Sequence, residues 1–334
     1  MKAITLRAYG SADHFEFSEI PFPEPRSGEV RIKVSAVAFN PIDYQIRTSQ
    51  PQGTPAHGLV VGRDVAGVVD ALHSSVSAFE IGDAVFSNVC KLASSGTYAE
   101  YLTVPAELVA RQPATLTPAQ AAAVPVAGIT ATLALDKLQP GPDKSLFIAG
   151  GAGGVGTFAI RIAQLRGVRK LVTTAGNPKS RAYLIAQCGL RDEQIVDYKH
   201  SGFIAHALQR NGGAFDATLD LAGGAMLSAC CTLLATGGHF ASITDPPPRD
   251  DFETLFNKNG SFHAIGAHAY SLGTDRAVWH TYRDLLERLA RLIDSGQLAA
   301  APIEIVGGFS VATVQRAHAL LERGAVQGKI VMTV

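Results

Sequence analysis

Cysteine, methionine and tryptophan are scarce in this chain of 334 residues, which has four, three and one of them. The four cysteines, Cys90, Cys188, Cys230 and Cys231, form no C-x-x-C pair and no disulfide framework, so we expect a reducing compartment. No run of 18 apolar residues is present, so no membrane span is expected. The first residues lack the apolar core of a signal peptide, and the sequence therefore predicts a cytoplasmic protein.

The chain also lacks an excess of charge of either sign, because 29 Lys and Arg residues balance 29 Asp and Glu residues. A net charge of zero gives no reason to expect nucleic acid or a membrane surface as a partner. Hydrophobic residues make up 47% of the chain and charged residues 17%, which supplies a large core and argues against disorder. The length suggests two domains.

Two kinds of pattern divide the chain. Before residue 120, short β-type runs such as 30–37 and 98–104 alternate with glycine and proline, which predicts a β-rich region. A helix is predicted at 119–135, and strands then alternate with helices from the apolar strand at 145–149 onward. Such alternation predicts a parallel sheet with helices on both faces. A last strand at 329–334 is expected to rejoin the β-rich part, which would make that part discontinuous.

A glycine-rich segment follows the predicted strand at 145–149 and opens a helix. Within it, Gly151, Gly153 and Gly156 fit the pattern G-x-G-x-x-G. The first glycine allows a tight turn, the second lets a pyrophosphate approach the backbone, and the third lets helix and strand pack closely. The N–H groups at the start of the helix then face the phosphates. We therefore predict a dinucleotide site formed by Gly151, Ala152, Gly153, Gly154, Val155 and Gly156.

The end of the next strand distinguishes NAD from NADP. A site for NAD usually places Asp or Glu about 20 residues after the loop, where it binds the ribose 2′-hydroxyl. Here the strand ends without an acid, at Thr174 and Gly176, and two cations, Lys179 and Arg181, follow. An acid would repel a 2′-phosphate, whereas cations attract it. These four residues are accordingly predicted to bind the cofactor, which we expect to be NADP(H).

Taken together, several segments resemble the medium-chain dehydrogenase/reductase superfamily, and within it the zinc-free quinone oxidoreductase (ζ-crystallin-like) branch. The resemblance extends over nearly the whole chain. The segments that carry it, besides the phosphate loop, are residues 39–43, 62–69, 82–85, 96–101 and 328–331.

The resemblance implies an α/β fold in which a Rossmann doubly wound parallel sheet is inserted in a GroES-like β-rich domain. Residues 1–120 with 267–334 would form the GroES-like substrate domain and residues 121–266 the Rossmann domain, with the active site in the cleft between them. It also implies that Asn40, Asp43, Ala127, Gly128 and Thr130 lie near the nicotinamide or the substrate. Thr130, Tyr198 and Lys329 are assigned to the cofactor on this basis.

The places that hold catalytic zinc ligands in the alcohol dehydrogenase branch differ here. By the resemblance they are occupied by Asn40, Arg63 and Ala127, none of which is a reasonable zinc ligand. We therefore expect no metal. Alcohol oxidation then lacks its usual Lewis acid, whereas hydride addition to a quinone or an α,β-unsaturated carbonyl needs only a hydrogen-bond donor and a proton. The candidate catalytic donors are Asn40, Tyr44 and Arg63.

The expected function is thus a zinc-independent oxidoreductase that transfers hydride from NADPH to a small quinone or conjugated carbonyl. Three alternatives remain open: a 2-enoyl-thioester reductase, an alcohol dehydrogenase-like enzyme of the same fold, and a binding protein stabilised by NADPH. The expected substrate walls, at residues 48–58 and 245–256, are too irregular to name the substrate. A homodimer is expected through the sheet edge at residues 261–267, because the alternating apolar strand there would otherwise leave an unpaired edge.

Overall fold

A computed structural model describes residues 1–49, 56–89, 96–271 and 275–334. Cys90 and the middle of the expected substrate wall at 48–58 lie outside the described residues. The chain divides into two compact units, one formed by Met1–Val126 with His268–Val334 and the other by Ala127–Ala267. Among the described residues, we find no helix with the length and hydropathy that a membrane span requires.

Sixteen strands are formed by the described residues, and they are numbered in chain order. They are β1 (Lys2–Leu6), β2 (Phe15–Glu19), β3 (Glu29–Ala38), β4 (Leu59–Val60), β5 (Asp64–Leu72), β6 (Ala84–Asn88), β7 (Tyr101–Pro105), β8 (Val109–Arg111), β9 (Ser145–Ala149), β10 (Lys170–Ala175), β11 (Ile195–Asp197), β12 (Phe215–Asp220), β13 (Leu234–Ser242), β14 (Ser261–Ala264), β15 (Ile303–Gly308) and β16 (Lys329–Thr333).

The α-helices of the described residues connect and cover these strands. They are α1 (Pro41–Ser49), α2 (Pro118–Ala122), α3 (Pro125–Leu138), α4 (Gly154–Leu165), α5 (Pro178–Cys188), α6 (Phe203–Asn211), α7 (Ala225–Leu233), α8 (Arg249–Asn257), α9 (Arg276–Asp294) and α10 (Val311–Glu322).

The first unit is the β-rich, GroES-like one. Its larger sheet has the order β15-β16-β3-β5-β6-β8, with β7 also paired to β3, and its smaller sheet has the order β2-β1-β4. The C-terminal strand β16 pairs antiparallel with β3, so that Val331 lies opposite Ala38. The end of the chain therefore completes a sheet that its first third begins, as the discontinuous pattern predicts.

The second unit is the Rossmann one. Its sheet is parallel throughout and has the order β11-β10-β9-β12-β13-β14. All five residues of β9 are buried, as expected for a central strand that is covered on both faces. The strand order reverses between β9 and β12, and a doubly wound sheet binds its ligand at such a reversal. The glycine-rich loop directly follows β9.

The single helix predicted at 119–135 is wrong, because two helices occur there. Thr117 caps α2 and forms a capping box with Gln120. Pro125 then begins α3, since proline lacks an N–H and disfavours helical conformation in the residue before it. The helix α2 contacts β3 and β5 of the first unit, which explains why the boundary between the units falls at Val126 rather than at residue 120.

Candidate functional site

A buried polar cluster lies in the first unit, where the end of β3 meets the starts of β5 and β16. Asn40, Asp64 and Lys329 are at most 4% exposed. The Lys329 ammonium donates to Asn40 Oδ1 at 2.6 Å and to Asp64 Oδ2 at 3.0 Å, and it lies 3.3 Å from the carbonyl oxygen of Phe39. Asp64 Oδ1 accepts the Val126 N–H at 2.8 Å. The buried charge of Lys329 is therefore paired and its three hydrogens are used.

These contacts fix the amide of Asn40 in one orientation. Its Oδ1 faces the Lys329 ammonium, which can only donate, while its Nδ2 donates to Asp64 Oδ2 at 2.9 Å. Turning the amide over would place nitrogen against ammonium and oxygen against a carboxylate oxygen. One hydrogen on Nδ2 remains after the Asp64 bond, and Asn40 can offer it to a ligand.

Asp43 holds the Asn40 backbone at the start of α1, which leaves the Asn40 side chain able to contact a ligand. Asn40 immediately precedes α1, and Asp43 in the first turn accepts the Asn40 backbone N–H at 2.8 Å. This is the half of a capping box in which the helix side chain reaches back. Burial raises the pKa of Asp43 to about 7, the nearby Asp64 adds to the rise, and the Asn40 N–H, Arg63 and Lys329 oppose it.

The other residues predicted for catalysis have different surroundings. Arg63 is 8% exposed and donates to the carbonyl oxygen of Val89 at 2.9 Å. Tyr44 is half-buried on α1, next to Asp43. In the second unit, Ala127 and Thr130 are buried on α3. Asn40 differs from these residues, because charged side chains of the described residues hold its amide.

The phosphate loop has the close packing that its glycines predict. A Cβ on Gly156 would lie 2.4 Å from the Gly150 carbonyl oxygen, and one on Gly151 would lie 2.2 Å from Thr173 Oγ1. Gly153 differs, because the nearest atom to its Cβ, the Gly150 oxygen, would be 3.7 Å away. Since Gly153 caps α4 without a side chain, the first N–H groups of this helix have no intrahelical acceptor. Open space beside such N–H groups fits a pyrophosphate.

Thr174 supports the loop from below. Its Oγ1 accepts the Gly150 N–H at 2.9 Å, and the residue is 4% exposed. Gly150 has a φ of 89°, a conformation that glycine adopts readily, and this bond holds the turn in place. The geometry thus favours a role for Thr174 in shaping the loop over a direct contact with the cofactor.

Tyr198 covers the end of β10. Its ring lies over Gly176, where a Cβ would approach the ring carbons to 2.5 Å, and it is 41% exposed. Asn177 caps α5 by accepting the Ser180 N–H at 2.8 Å. Lys179 is exposed in the first turn of that helix. The Tyr198 ring, the N-terminus of α5 and the cation in its first turn therefore all lie at or just after the end of β10.

The two predicted cations are not equivalent. Arg181 donates through Nε to Asp192 Oδ1 at 2.6 Å and through Nη1 to the carbonyl oxygen of Ile195 at 3.2 Å. This ion pair raises the pKa of Arg181 and offsets its charge locally. The geometry therefore favours Lys179 over Arg181 as the partner of a 2′-phosphate.

Comparison with known proteins identifies the superfamily of this chain. Residues 26–114 match the alcohol dehydrogenase GroES-like domain, and residues 191–332 match the zinc-binding dehydrogenase family. The structure of the quinone oxidoreductase from Coxiella burnetii superposes with a TM-score of 0.83 and 30% identity, over 100% of this chain and 99% of that one. The chain belongs to the medium-chain dehydrogenase/reductase superfamily.

Two relatives place it among the oxidoreductases of that superfamily. The quinone oxidoreductase of Mus musculus is 30% identical over 73% of this chain and 73% of its own length. The NADPH-dependent alkenal/one oxidoreductase, chloroplastic, of Arabidopsis thaliana is 29% identical over 99% of this chain and 79% of its own length. The protein is an oxidoreductase with a nicotinamide cofactor and a small-molecule substrate.

One matched family is described as zinc-binding dehydrogenase. In this chain, however, the positions that the resemblance assigns to zinc ligands are occupied by residues that do not suit zinc. Asn40 has an ammonium beside its oxygen, and Arg63 adds a second positive charge nearby. Both cations oppose binding of a divalent metal at this point. Within residues 1–49, 56–89, 96–271 and 275–334, no three His, Cys, Asp or Glu side chains are grouped so that they could hold a metal ion.

Sequence reasoning missed the connection between Asp64 and Lys329, which are 265 residues apart. It assigned Lys329 to the cofactor. The available signal was that each charge stands beside apolar residues that form buried strands. A charge in such a place requires a partner, although the sequence does not say which one.

The phosphate loop yields a matched pair of substitutions. Gly153→Val should preserve the fold, because the site is open and loss of a glycine cap costs about 1 kcal/mol, but its side chain should occupy the pyrophosphate space and abolish NADPH binding. Gly156→Ala should instead lower the melting temperature, since overpacking costs about 1–3 kcal/mol. Fluorescence titration with NADPH and thermal unfolding measure the two effects. Normal NADPH affinity in Gly153→Val would contradict the assignment of the loop.

Proposed function

We propose that this protein transfers hydride from NADPH to a quinone or an α,β-unsaturated carbonyl without a metal. The observation that carries the proposal is the oriented amide of Asn40, which has one free hydrogen and is held between Lys329 and Asp64. A fixed donor suits a carbonyl oxygen that gains negative charge during reduction. The names of the quinone and alkenal/one oxidoreductase relatives support the same substrate class.

The residues of this chain have separate tasks in such a reaction. Bound NADPH would supply the hydride. The Nδ2 hydrogen of Asn40 would bind the substrate oxygen, and Lys329, 2.6 Å from Asn40 Oδ1, would polarise the amide and strengthen this donor. Losing one such donor typically lowers kcat by about 10²- to 10³-fold. Hydride addition leaves negative charge on the substrate oxygen, and we assign the final proton to water, because this anion needs no stronger acid.

A substrate screen tests the proposal against its alternatives. NADPH oxidation should occur with quinones, enals or enones, and should be absent with the saturated ketone that matches each enone, because saturation removes the electron-poor carbon. Asn40→Ala should lower kcat by about 10²-fold with intact NADPH binding. A preference for enoyl thioesters or for alcohols would favour the corresponding reductase or dehydrogenase. NADPH binding without turnover on any compound would identify a binding protein and refute the enzyme proposal.

We further propose that the cofactor is NADP(H), with Lys179 as the contact to the 2′-phosphate. A charge-assisted bond contributes about 1.5–3 kcal/mol, which corresponds to about a tenfold to hundredfold preference over NADH. Lys179→Ala should remove most of this preference. Asn177→Asp should do the same through repulsion, and the aspartate can still cap α5.

Arg181→Ala serves as the matched control, because its guanidinium is engaged by Asp192. It should alter the ratio of kcat/KM for NADPH and NADH much less than Lys179→Ala does. Gly176→Asp is unsuitable for this test, since any side chain there collides with Tyr198. Equal kcat/KM with NADPH and NADH in the unaltered protein would overturn the assignment.

We also propose a homodimer through the edge of the Rossmann sheet at residues 261–267. The strand β14 ends that sheet, and the neighbouring helix α8 carries Phe256, which is 84% exposed. Light scattering at micromolar concentration should give the mass of a dimer. Ala264→Lys, an exposed edge lysine, should yield monomers, whereas Gln209→Lys on the exposed face of α6 should not. A monomeric unaltered protein would exclude the dimer. Cytoplasmic localisation stays a prediction.

A further inference from the structure

Three buried polar side chains of the first unit are not used by the proposed reaction. They are Arg47 on α1, Tyr98 before β7 and His318 on α10, and each is at most 1% exposed. Arg47 Nε donates to His318 Nδ1 at 3.3 Å, and the Tyr98 hydroxyl lies 3.1 Å from His318 Nε2. Residues separated by up to 271 positions thus form one hydrogen-bonded line.

The direction of the hydrogens in this line follows from the donor at its start. A guanidinium can only donate, so His318 Nδ1 must accept and carries no proton. Burial, together with the charge of Arg47, lowers the pKa of His318 to about 3, so the ring is neutral near pH 7. A neutral ring without a proton on Nδ1 has it on Nε2. His318 Nε2–H therefore donates to the Tyr98 oxygen.

The Tyr98 hydroxyl hydrogen must then point elsewhere, and Asp43 is the acceptor that it can serve. Asp43 Oδ1 is buried and has no hydrogen-bond partner among the described residues, so it can accept this hydrogen. The carboxyl of Asp43 is close enough to raise the pKa of Tyr98, after burial as the larger cause. Asp43 Oδ2 accepts the backbone N–H of Asn40. The line consequently ends on the residue that holds the Asn40 turn.

The other end of the line is anchored as firmly. Arg47 also donates to the carbonyl oxygen of Gly10 and to Glu322 on α10. The ring of His318 packs against Phe15, with ring centroids 4.8 Å apart. Arg47, which donates to His318, and Tyr98, which accepts from it, are both buried, so the two bonds are shielded from solvent.

We propose that Arg47, His318 and Tyr98 are positioning residues, which act through Asp43 to hold the turn that presents the Asn40 donor. Every hydrogen in the hydrogen-bonded line from Arg47 to Asp43 points the same way, so each bond strengthens the next. The effect on catalysis rests on the proposed function of Asn40, whereas the direction of the hydrogen bonds does not. Among the described residues, the charged or titratable groups that act on Asp43 include Asp64, Arg63, Lys329 and Tyr98.

Tyr98→Phe tests the hydrogen-bonded line, because it removes one hydroxyl and nothing else. Loss of a hydrogen bond to a carboxylate should raise the pKa of Asp43 by about 1–2. The ¹³C resonance of the Asp43 carboxyl, assigned by its absence in Asp43→Asn, measures this pKa. Tyr101→Phe is the matched control, since Tyr101 packs on Phe22 and is not part of the hydrogen-bonded line. It should leave the Asp43 pKa unchanged.

A second measurement uses the unaltered protein and so does not depend on how well a variant folds. The ¹⁵N shifts of His318 should show a neutral ring with its proton on Nε2 between pH 5 and 8. A proton on Nδ1, or an unchanged Asp43 pKa in Tyr98→Phe, would overturn the proposal. Neither measurement needs a substrate, so absence of NADPH oxidation would refute the proposed function without affecting this test.

The kinetic consequence is specific to positioning. The ionised carboxyl of Asp43 accepts the Asn40 N–H, so kcat should fall as the pH drops through the Asp43 pKa. In Tyr98→Phe, this fall in kcat should move to higher pH together with the Asp43 pKa, while KM for NADPH stays at its unaltered value. His318→Gln, which can still accept from Arg47 and donate to Tyr98, should restore most of the kcat that His318→Ala loses. Equal kcat in the glutamine and alanine variants would contradict a positioning role for this line.

Discussion

The buried ion pair between Asp64 and Lys329 is the interaction on which the rest of the first unit depends. Two opposite charges lie 3.0 Å apart in the interior, and both side chains are nearly without exposure. Leaving either one alone would cost about 3–5 kcal/mol, because an uncompensated charge would stay buried. The C-terminal strand must therefore return to the first third of the chain. The same pair orients Asn40, so a requirement of folding and a requirement of chemistry meet in one contact.

The second unit rests on a different constraint, which is the close approach of backbone to backbone. Gly151 and Gly156 leave no room for a Cβ, so the start of α4 packs directly against the turn after β9. Gly153, between them, faces open space instead. Glycines in one motif thus have two functions. Two of them bring helix and strand together, and the third leaves the N-terminus of the helix accessible to an anion.

The buried line from Arg47 to Asp43 shows how such a fold can adjust a group far from its surface. Polar groups in an interior must be satisfied, and those with a single available partner have one arrangement. Arg47 starts the line with a charge that cannot be removed, and each later hydrogen follows from it. Burial raises the pKa of Asp43 to about 7, and the proposed line would make that pKa depend also on Tyr98, His318 and Arg47.

Periodicity and glycine spacing, which are local, allowed much of this protein to be predicted from its sequence. The strand at 145–149, the glycine loop, the alternation of strands and helices and the discontinuous β-rich part are all read from neighbouring residues. The break at Pro125 was missed, although proline is a local signal, because the small-residue pattern continues across it. The partners of Lys329, Arg181 and His318 could not be predicted, since a charge signals that it needs a partner but not which distant residue supplies it. The sequence by itself determined the alternation of strands and helices, the glycine-rich loop and the superfamily. The tertiary structure alone decided which buried charges pair, and hence how Asn40 is oriented, because those pairings join residues that only the folded sheets bring together.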